Sequence, residues 1–402
     1  MSSEGGAVIH GVPVSWDGVR DLFTLDPKVT YLNHGAFGAV PVPVQRAQQR
    51  LRDELELNPA AFITRGLMDR LGHVRRHIAG FLGADAEALA LVPNATAGAA
   101  VVLGSLRLKP GDEILTTDQG YGAVSLAVQR ECARTGAVAR TVSIPLAASD
   151  EEVLARVIEA ARPDRTRLAI VDQITSPTAR LLPVARIAAG LRAIGVPLLV
   201  DAAHVPGMLP VDVSAIGADF WIGNLHKWAF GARPTSVLAV APRHRAHIEP
   251  LVVSWEQPNG FPAAVEFGGT LDYTAWLATP TGLHLLRTLG LDQVREHNVH
   301  LADYGQLAVA AAVRADPARL PRSPGVSMRL VPLPESVCAS KEDASAIRDR
   351  LSADYKVEVA TSFVQGQGFL RLCAQVYNAE ADMDRLADAV GGLIGALRPR
   401  AA

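Results

Sequence analysis

The segment Pro197–Phe230 contains two apolar runs, each of which ends abruptly at polar residues. The first run, Pro197–Val200, ends at Asp201, and the second, Phe220–Ile222, ends at the polar patch 223–224. Continuous apolar runs of this length are typical of strands that are buried on both faces in a parallel sheet. We therefore expect an α/β fold, in which ligands bind just beyond the carboxyl ends of such strands.

Two charged residues fall at this predicted edge of the sheet. Asp201 follows the first run directly, and Lys227 comes shortly after the second. They suit pyridoxal phosphate, because Lys227 can hold its aldehyde as a Schiff base and Asp201 can pair with the protonated pyridine nitrogen. Taken singly, a solvated surface lysine and a helix N-cap are the commoner explanations of these two residues. The neighbouring histidines, His204 and His226, favour the cofactor site.

The motifs DAAH at 201–204 and HKW at 226–228 resemble the class V aminotransferase family of fold-type I pyridoxal phosphate enzymes, in its isopenicillin N epimerase-like branch. The resemblance extends from about Tyr31 to Asn378. It implies a fold-type I transferase fold, with a mostly parallel seven-stranded sheet in a large domain and a smaller α+β C-terminal domain. The implied divisions are an N-terminal arm that packs on the small domain, 1–30, the large cofactor-binding domain, 31–285, and the small domain, 286–402.

Composition limits the partners. The net charge of -2 gives no electrostatic argument for a nucleic acid or an anionic membrane. The cysteines Cys132, Cys338 and Cys373 form neither a disulfide framework nor a metal-binding pattern, as in a reducing compartment. The sequence indicates no signal peptide and no membrane-spanning run. We therefore expect a cytoplasmic protein without a metal, a nucleic acid or a membrane partner.

A polar turn follows the strand that is predicted at Ala88–Val92 and opens a helix. Free amides and the helix dipole at such a turn attract anions, although Asn94 or Thr96 could serve simply as an N-cap. The resemblance implies that the turn binds the cofactor phosphate. The residues that it assigns to this end of the cofactor are Ala95, Thr96, Ala97 and His226.

The resemblance assigns further contacts to the cofactor. Tyr121 follows the predicted strand Glu113–Thr116, where the family places an aromatic ring over the cofactor plane and so fixes its tilt. We count Tyr121 with Lys227 and Asp201 as catalytic, and Thr175 and His204 as further cofactor contacts. In the predicted loop Ser254–Asp272, Gly269 and Thr270 resemble a pair that reaches the partner's phosphate across a dimer interface. A homodimer with composite active sites is therefore implied.

The predicted substrate is an amino acid as a free small molecule, and four residues are expected to bind it: Asn33, His34, Arg65 and Arg371. Asn33 and His34 lie in a loop that resembles the family's LN-x-G-x-FG segment, which lines the substrate pocket. The planar guanidinium of Arg65 matches a carboxylate. Arg371 lies on a predicted strand of the small domain, where the family binds the α-carboxylate through two hydrogen bonds.

Several reactions remain open. β-Elimination needs only abstraction of the Cα proton by Lys227 and a leaving group at Cβ, whereas epimerisation needs a second acid and transamination needs two substrates in turn. A persulfide-forming desulfurase is disfavoured, because no cysteine lies in a mobile glycine-rich loop. We expect C–S β-elimination on an S-substituted cysteine in specialised metabolism, with an epimerase, an aminotransferase and a non-enzymatic relative as alternatives. Gln173 stands where the epimerase-like pattern has histidine, which also leaves the reaction open.

Overall fold

The structure is a computed structural model that describes Trp16 and residues 18–397. Of the predicted N-terminal arm, residues 1–15 and 17 lie outside that part. In the remainder of the arm, Arg20 Nη1 donates a hydrogen bond to the Tyr377 carbonyl at 3.2 Å. The ring of Phe23 packs edge-on against that of Tyr377, with centroids 4.9 Å apart. The described part of the arm therefore contacts the C-terminal region.

Strands and helices alternate along most of the described chain. The strands are β1 Thr30–Tyr31, β2 Leu89–Val92, β3 Glu113–Thr117, β4 Val138–Val142, β5 Thr166–Asp172, β6 Leu198–Asp201, β7 Phe220–Asn224, β8 Ser236–Val240, β9 Met328–Pro332, β10 Val357–Glu358, β11 Ala360–Val364 and β12 Gln367–Cys373. The α-helices are α1 Val42–Leu57, α2 Pro59–Thr64, α3 Leu67–Leu82, α4 Ala95–Ser105, α5 Gly122–Thr135, α6 Asp150–Ala160, α7 Val184–Ala193, α8 Val213–Ile216, α9 Pro242–Arg245, α10 Ala263–Glu266, α11 Thr274–Thr288, α12 Leu291–Val313, α13 Lys341–Tyr355 and α14 Glu380–Leu397.

A seven-stranded sheet lies at the centre, in the order β2-β8-β7-β6-β5-β3-β4. Strand β8 runs antiparallel to both neighbours, and all the other pairs are parallel. This confirms the predicted mostly parallel seven-stranded sheet. Because β5, β6 and β7 point the same way, their carboxyl ends, at Asp172, Asp201 and Asn224, meet at one edge of the sheet.

Helices cover both faces of this sheet, which explains the continuous apolar runs in its strands. On one face, Ile78 of α3 and Leu191 of α7 share a core with Val200 of β6. On the other face, Val102 of α4 packs in a separate core with Leu199. Consecutive residues of β6 therefore point into different cores, and both must be apolar.

The C-terminal region has its own antiparallel sheet, β11-β12-β9, and a core that it shares with α12, α13 and α14. Strand β1 pairs in parallel with β10, and Asn33 forms a bridge with Cys373. The segment 30–33 is therefore tied to the C-terminal sheet. The predicted boundary at 285/286 falls inside helix α11. No helix in the described part of the chain combines the length and apolar character needed to cross a membrane.

The segment Ser254–Asp272, which was expected to be a loop, contains a turn of 3-10 helix at Gln257–Asn259 and the short helix α10. Glu266, the last residue of α10, is fully buried. Its carboxylate accepts hydrogen bonds from the Leu91 amide at 3.0 Å and from Arg75 Nη1 at 2.7 Å. These bonds tie the segment to strand β2, a tertiary contact that glycine and proline content alone does not indicate.

Candidate active site

A cavity of about 270 Å³ opens at the carboxyl ends of β5, β6 and β7. Most of the residues that were predicted to bind the cofactor line it, although they come from separate parts of the chain. They are Ala95, Thr96, Tyr121, Asp201, His204, His226 and Lys227. The fold therefore brings the predicted amine, carboxylate and aromatic ring to one place.

Lys227 reaches this cavity from the turn that follows β7. Its Nζ lies 3.4 Å from Nε2 of His204. Burial, and next the positive charge of Arg371, lower the pKa of Lys227 to about 8, while Asp201 acts in the opposite direction. A large fraction of the amine is therefore unprotonated slightly above neutral pH, as a nucleophile and proton acceptor requires.

Asp201 ends strand β6 with one satisfied and one unsatisfied oxygen. Its Oδ1 accepts a hydrogen bond from the Ala203 amide at 3.0 Å. Its Oδ2 is buried and has no partner among the described residues. A buried carboxylate oxygen without a donor is costly, so this atom fits a cationic N–H such as a protonated pyridine nitrogen. The groups in the cavity therefore fit pyridoxal phosphate.

The N-terminus of helix α4, which borders the cavity, is more fully capped than the sequence predicts. The Ala95 amide donates to Oδ1 of Asn224 at 2.9 Å, and the Ala97 amide donates to Oδ1 of Asn94 at 2.8 Å. Both predicted phosphate donors are thus engaged within the protein. Thr96 lies between them and lines the cavity, whereas Ala97 does not.

Two further groups line the same cavity. His226 has its Nδ1 2.7 Å from the Thr235 carbonyl oxygen, and burial lowers the pKa of His226 to about 4. Its ring is therefore neutral at neutral pH. Arg233 also lines the cavity and brings the positive charge that an anion needs. Sequence reasoning missed Arg233, although an arginine only six residues after Lys227 could have been expected near the same cavity.

Arg371 lies on β12 and faces a second cavity of about 280 Å³, which shares Tyr121 and Ser176 with the first. Its Nη1 donates to Oγ of Ser176 at 3.0 Å. Its Nε is buried and lacks a partner in the part of the chain described. Asn33 pairs with Cys373, which is two residues after Arg371 on β12. The Oδ1 of Asn33 is also buried and has no partner among the described residues, but Asn33 lines neither cavity.

His34 does not line the cavity. It is fully buried, with Nδ1 3.0 Å from the Tyr377 hydroxyl and Nε2 3.0 Å from the Lys227 carbonyl oxygen. Burial lowers its pKa to about 3, so the ring is neutral. His34 therefore contacts the backbone of Lys227, whereas the sequence predicted a contact with the substrate.

Four other predicted site residues do not line the cavity of Lys227 in this chain. Thr175 is buried and its hydroxyl lies 2.5 Å from that of Thr178, while its neighbours Ile174 and Ser176 line the cavity. Gly269 and Thr270 line a separate groove. The same groove is lined by Thr64 and Gly66, on either side of Arg65. Within one chain, Arg65, Gly269 and Thr270 are therefore together but apart from the amine.

Asp172 is a cavity residue that sequence reasoning did not single out. It ends strand β5, stands in register with Asp201, and lines the cavity. The signal was present, because Asp172 follows an apolar run just as Asp201 does. The same rule about strand ends would have identified it.

Comparisons with known proteins identify the family of the chain. Residues 59–386 match the family model "Aminotransferase class-V". The chain is 33% identical to an isopenicillin N epimerase from Streptomyces clavuligerus, over 94% of this chain and 98% of the relative. It is 31% identical to an L-cysteine desulfhydrase from Arabidopsis thaliana, over 91% of this chain and 88% of the relative.

Among solved structures, the chain resembles the cystine C–S lyase C-DES in complex with its product cysteine persulfide. The TM-score is 0.78 at 22% identity, and the match covers 91% of this chain and 98% of that one. At that identity the likeness establishes the fold. Together with the family match, it shows that this chain belongs to the aminotransferase class-V family of pyridoxal phosphate-dependent enzymes.

Proposed function

We propose that this enzyme removes the Cα proton of an S-substituted cysteine and then eliminates the sulfur substituent from Cβ. The observation that carries the proposal is the placement of Lys227, whose lowered pKa leaves an amine in a cavity that also presents the unpartnered Oδ2 of Asp201. One base and one counter-ion are sufficient for β-elimination. Relatives named L-cysteine desulfhydrase support a C–S bond as the one that breaks.

Each residue has a defined task in this reaction. Bound pyridoxal phosphate supplies an electron sink for negative charge at Cα. Asp201 would balance the positive charge of the protonated ring nitrogen through Oδ2. Lys227 Nζ accepts the Cα proton. The Cβ–S bond then breaks, the sulfur leaves with the electron pair, and the proton that Lys227 accepted completes the thiol. Addition of water releases the remaining carbon skeleton as pyruvate and ammonia.

Substrate binding is assigned to the second cavity. Arg371 presents a planar guanidinium there, and its unpartnered Nε is available to a carboxylate. Tyr121 lines both cavities and is about 44% exposed, so its ring can cover the cofactor while it borders the substrate. These positions support an α-amino acid whose carboxylate meets Arg371.

The cysteines support elimination over transfer of sulfur to the protein. All three, Cys132, Cys338 and Cys373, are buried, and among the described residues none of them lines either cavity. Burial also raises the pKa of each thiol. A thiol of this kind is a poor nucleophile, so the sulfur is expected to leave as a free thiol or persulfide.

Epimerisation is the second candidate, and Tyr121 is the observation that favours it. A phenol that lines the cofactor cavity can return a proton to the face of Cα opposite Lys227. Relatives named isopenicillin N epimerase support this alternative. Transamination ranks third, because it requires only Lys227 as the proton carrier and no specific residue distinguishes it.

We also propose a homodimer in which the partner completes each site. The groove that contains Gly269 and Thr270 is bordered by Trp255, which is 88% exposed. Leu251, Val252 and Val253 are exposed beside it. Contiguous exposed apolar side chains mark protein interfaces. A second chain on this surface would bring the groove, with Arg65 and Thr270, to the cavity of its partner.

One incubation separates the three reactions. The purified enzyme is supplied with S-substituted cysteines and, separately, aliphatic amino acids in deuterated water, with Lys227→Ala as the control. Pyruvate and thiol release marks the proposed lyase. An inverted product that carries solvent deuterium marks the epimerase, and an oxo acid with pyridoxamine phosphate marks transamination. Either of the last two without thiol release would overturn the lyase assignment.

A further inference from the structure

Asp172 forms a carboxyl pair with Asp201 at the edge of the central sheet. The two residues are aligned across the parallel strands β5 and β6. They are only 4% and 3% exposed, and both line the cavity with Lys227. The mechanism given above uses Asp201 and leaves Asp172 without a task.

Two adjacent buried carboxyl groups cannot both be ionised without a large cost in free energy, because burial and like charge each disfavour the ionised form. The charged groups that face Asp172 are Asp201 on β6 and Lys227 after β7; the Tyr121 backbone after β3 and the neutral His204 complete its polar surroundings. Burial, and next the charge of Asp201, raise the pKa of Asp172 well above its ordinary value. Burial raises the pKa of Asp201 as well, and each carboxyl is stabilised in its charged form by one backbone amide and by Lys227. Only Asp172 bears the further unfavourable charge of its neighbour, so Asp172 is the member that keeps a proton.

The order of the strands indicates what this proton meets. Thr96 follows β2, Lys227 follows β7, and Asp201 and Asp172 end β6 and β5, which is also their order across the sheet. On the pyridine ring, the aldehyde carbon lies between the phosphate arm and the 3′-oxygen. If the phosphate lies towards Thr96 and Lys227 holds the aldehyde, the 3′-oxygen points towards β5 and Asp172.

We propose that Asp172 contacts the cofactor as a neutral carboxylic acid and donates a hydrogen bond to its 3′-oxygen. This inference rests on the proposed function, because it takes Lys227 and Asp201 as the other two contacts of the ring. A donor at this oxygen draws negative charge away from it and makes the neighbouring nitrogen of the Lys227 linkage easier to deprotonate. Asp172 thereby sets the pH at which the bound cofactor changes its protonation state.

The test compares Asp172→Asn, which keeps a hydrogen-bond donor, with Asp172→Ala, which does not, and uses exposed Asp164→Ala as the control. The visible absorption of each loaded protein is titrated with pH, and cofactor affinity is measured by titration of the apoprotein. We expect Asp172→Ala to raise the spectroscopic midpoint by roughly one unit and weaken affinity about tenfold. Asp172→Asn and Asp164→Ala should match the wild type within about twofold in affinity.

Two results would overturn the proposal: a wild-type midpoint in Asp172→Ala, or a shift in Asp172→Asn as large as that in Asp172→Ala. Thermal denaturation of the apoproteins separates this failure from failure of the proposed function. A proton held by Asp172 only in the folded state makes wild-type stability fall as pH rises above the carboxyl's ordinary pKa, and Asp172→Asn should lack that fall. Identical pH profiles would show that Asp172 is ionised, whether or not the cofactor binds.

Discussion

Gly38 packs directly against the backbone of Lys227. A Cβ at position 38 would lie 2.8 Å from the Lys227 carbonyl oxygen and 2.9 Å from its Cα, closer than the 3.0 Å below which real Cβ atoms are essentially never found. The contact is with backbone, which cannot rotate away. His34 of the same loop also contacts the Lys227 carbonyl. The loop that follows β1 therefore fixes the position of the Lys227 backbone next to the cavity.

Gly38→Ala is therefore expected to displace Lys227 and lower kcat by at least about tenfold, since small misplacements of a reacting group are costly. The matched control is Gly104→Ala, in helix α4, where a new Cβ meets no atom within 4 Å. That control should keep full activity and gain up to about 1 kcal/mol of stability from helix propensity. Steady-state kinetics and thermal denaturation check both variants; equal activity in the two would contradict the packing argument.

Asp201→Asn should leave the cofactor bound but reduce turnover by orders of magnitude. The amide preserves the shape of the side chain and the Ala203 contact, yet it cannot balance a protonated ring nitrogen through Oδ2. Cofactor content by absorbance and turnover by thiol release are measured on the same preparation. Unchanged turnover would remove Asp201 from its assigned role.

Arg371→Lys should not act as a conservative change. Lysine keeps the charge but loses the planar group that presents Nε and Nη1 together. Loss of one charge-assisted hydrogen bond costs about 1.5–3 kcal/mol, which corresponds to roughly tenfold to a hundredfold in kcat/KM. Arg65→Lys is the control with a short substrate, since Arg65 lies beside the separate groove. Full efficiency of Arg371→Lys on short and long amino acids would show that the α-carboxylate binds elsewhere.

Lys227 should lower the stability of the folded apoprotein most at neutral and acidic pH. Burial lowers the pKa of Lys227 to about 8 from an ordinary 10.5, so the folded state disfavours the ammonium form. Between about pH 8 and 10.5 the unfolded chain binds more protons, and stability contributed by this group rises with pH. Lys227→Met should therefore stabilise the apoprotein by on the order of 3 kcal/mol at pH 7, with the gain vanishing towards pH 10.5. A gain that does not depend on pH would indicate a packing effect instead.

The sequence predicted those parts of the fold in which local pattern and burial agree. Apolar runs identified β6 and β7, and with them Asp201 and Lys227, because strands covered on both faces must be apolar throughout. Strand β4, Val138–Val142, was not recognised from its residues. It is one of the two edge strands of the sheet and most of it is exposed, so it lacks the apolar signal.

The details of the site depended on tertiary contacts that local patterns do not contain. The Ala95 amide is taken by Asn224, which lies 129 residues further along the chain. Thr175 points away from the cavity because alternate residues of the turn face opposite sides. His34 was predicted to bind the substrate, but its ring contacts the backbone carbonyl of Lys227 instead. That contact depends on the tertiary position of the loop after β1, which pairs with β10 far along the chain.

The most direct measurement of the central claim is to reduce the cofactor-loaded enzyme with borohydride and map the modified peptide. The geometry of the cavity, with Lys227 beside His204 and Asp201 in the same lining, predicts a single stable label on Lys227 and loss of the visible absorption band in Lys227→Ala. A label on a different lysine, or a protein that takes up no cofactor and stays colourless, would contradict the account.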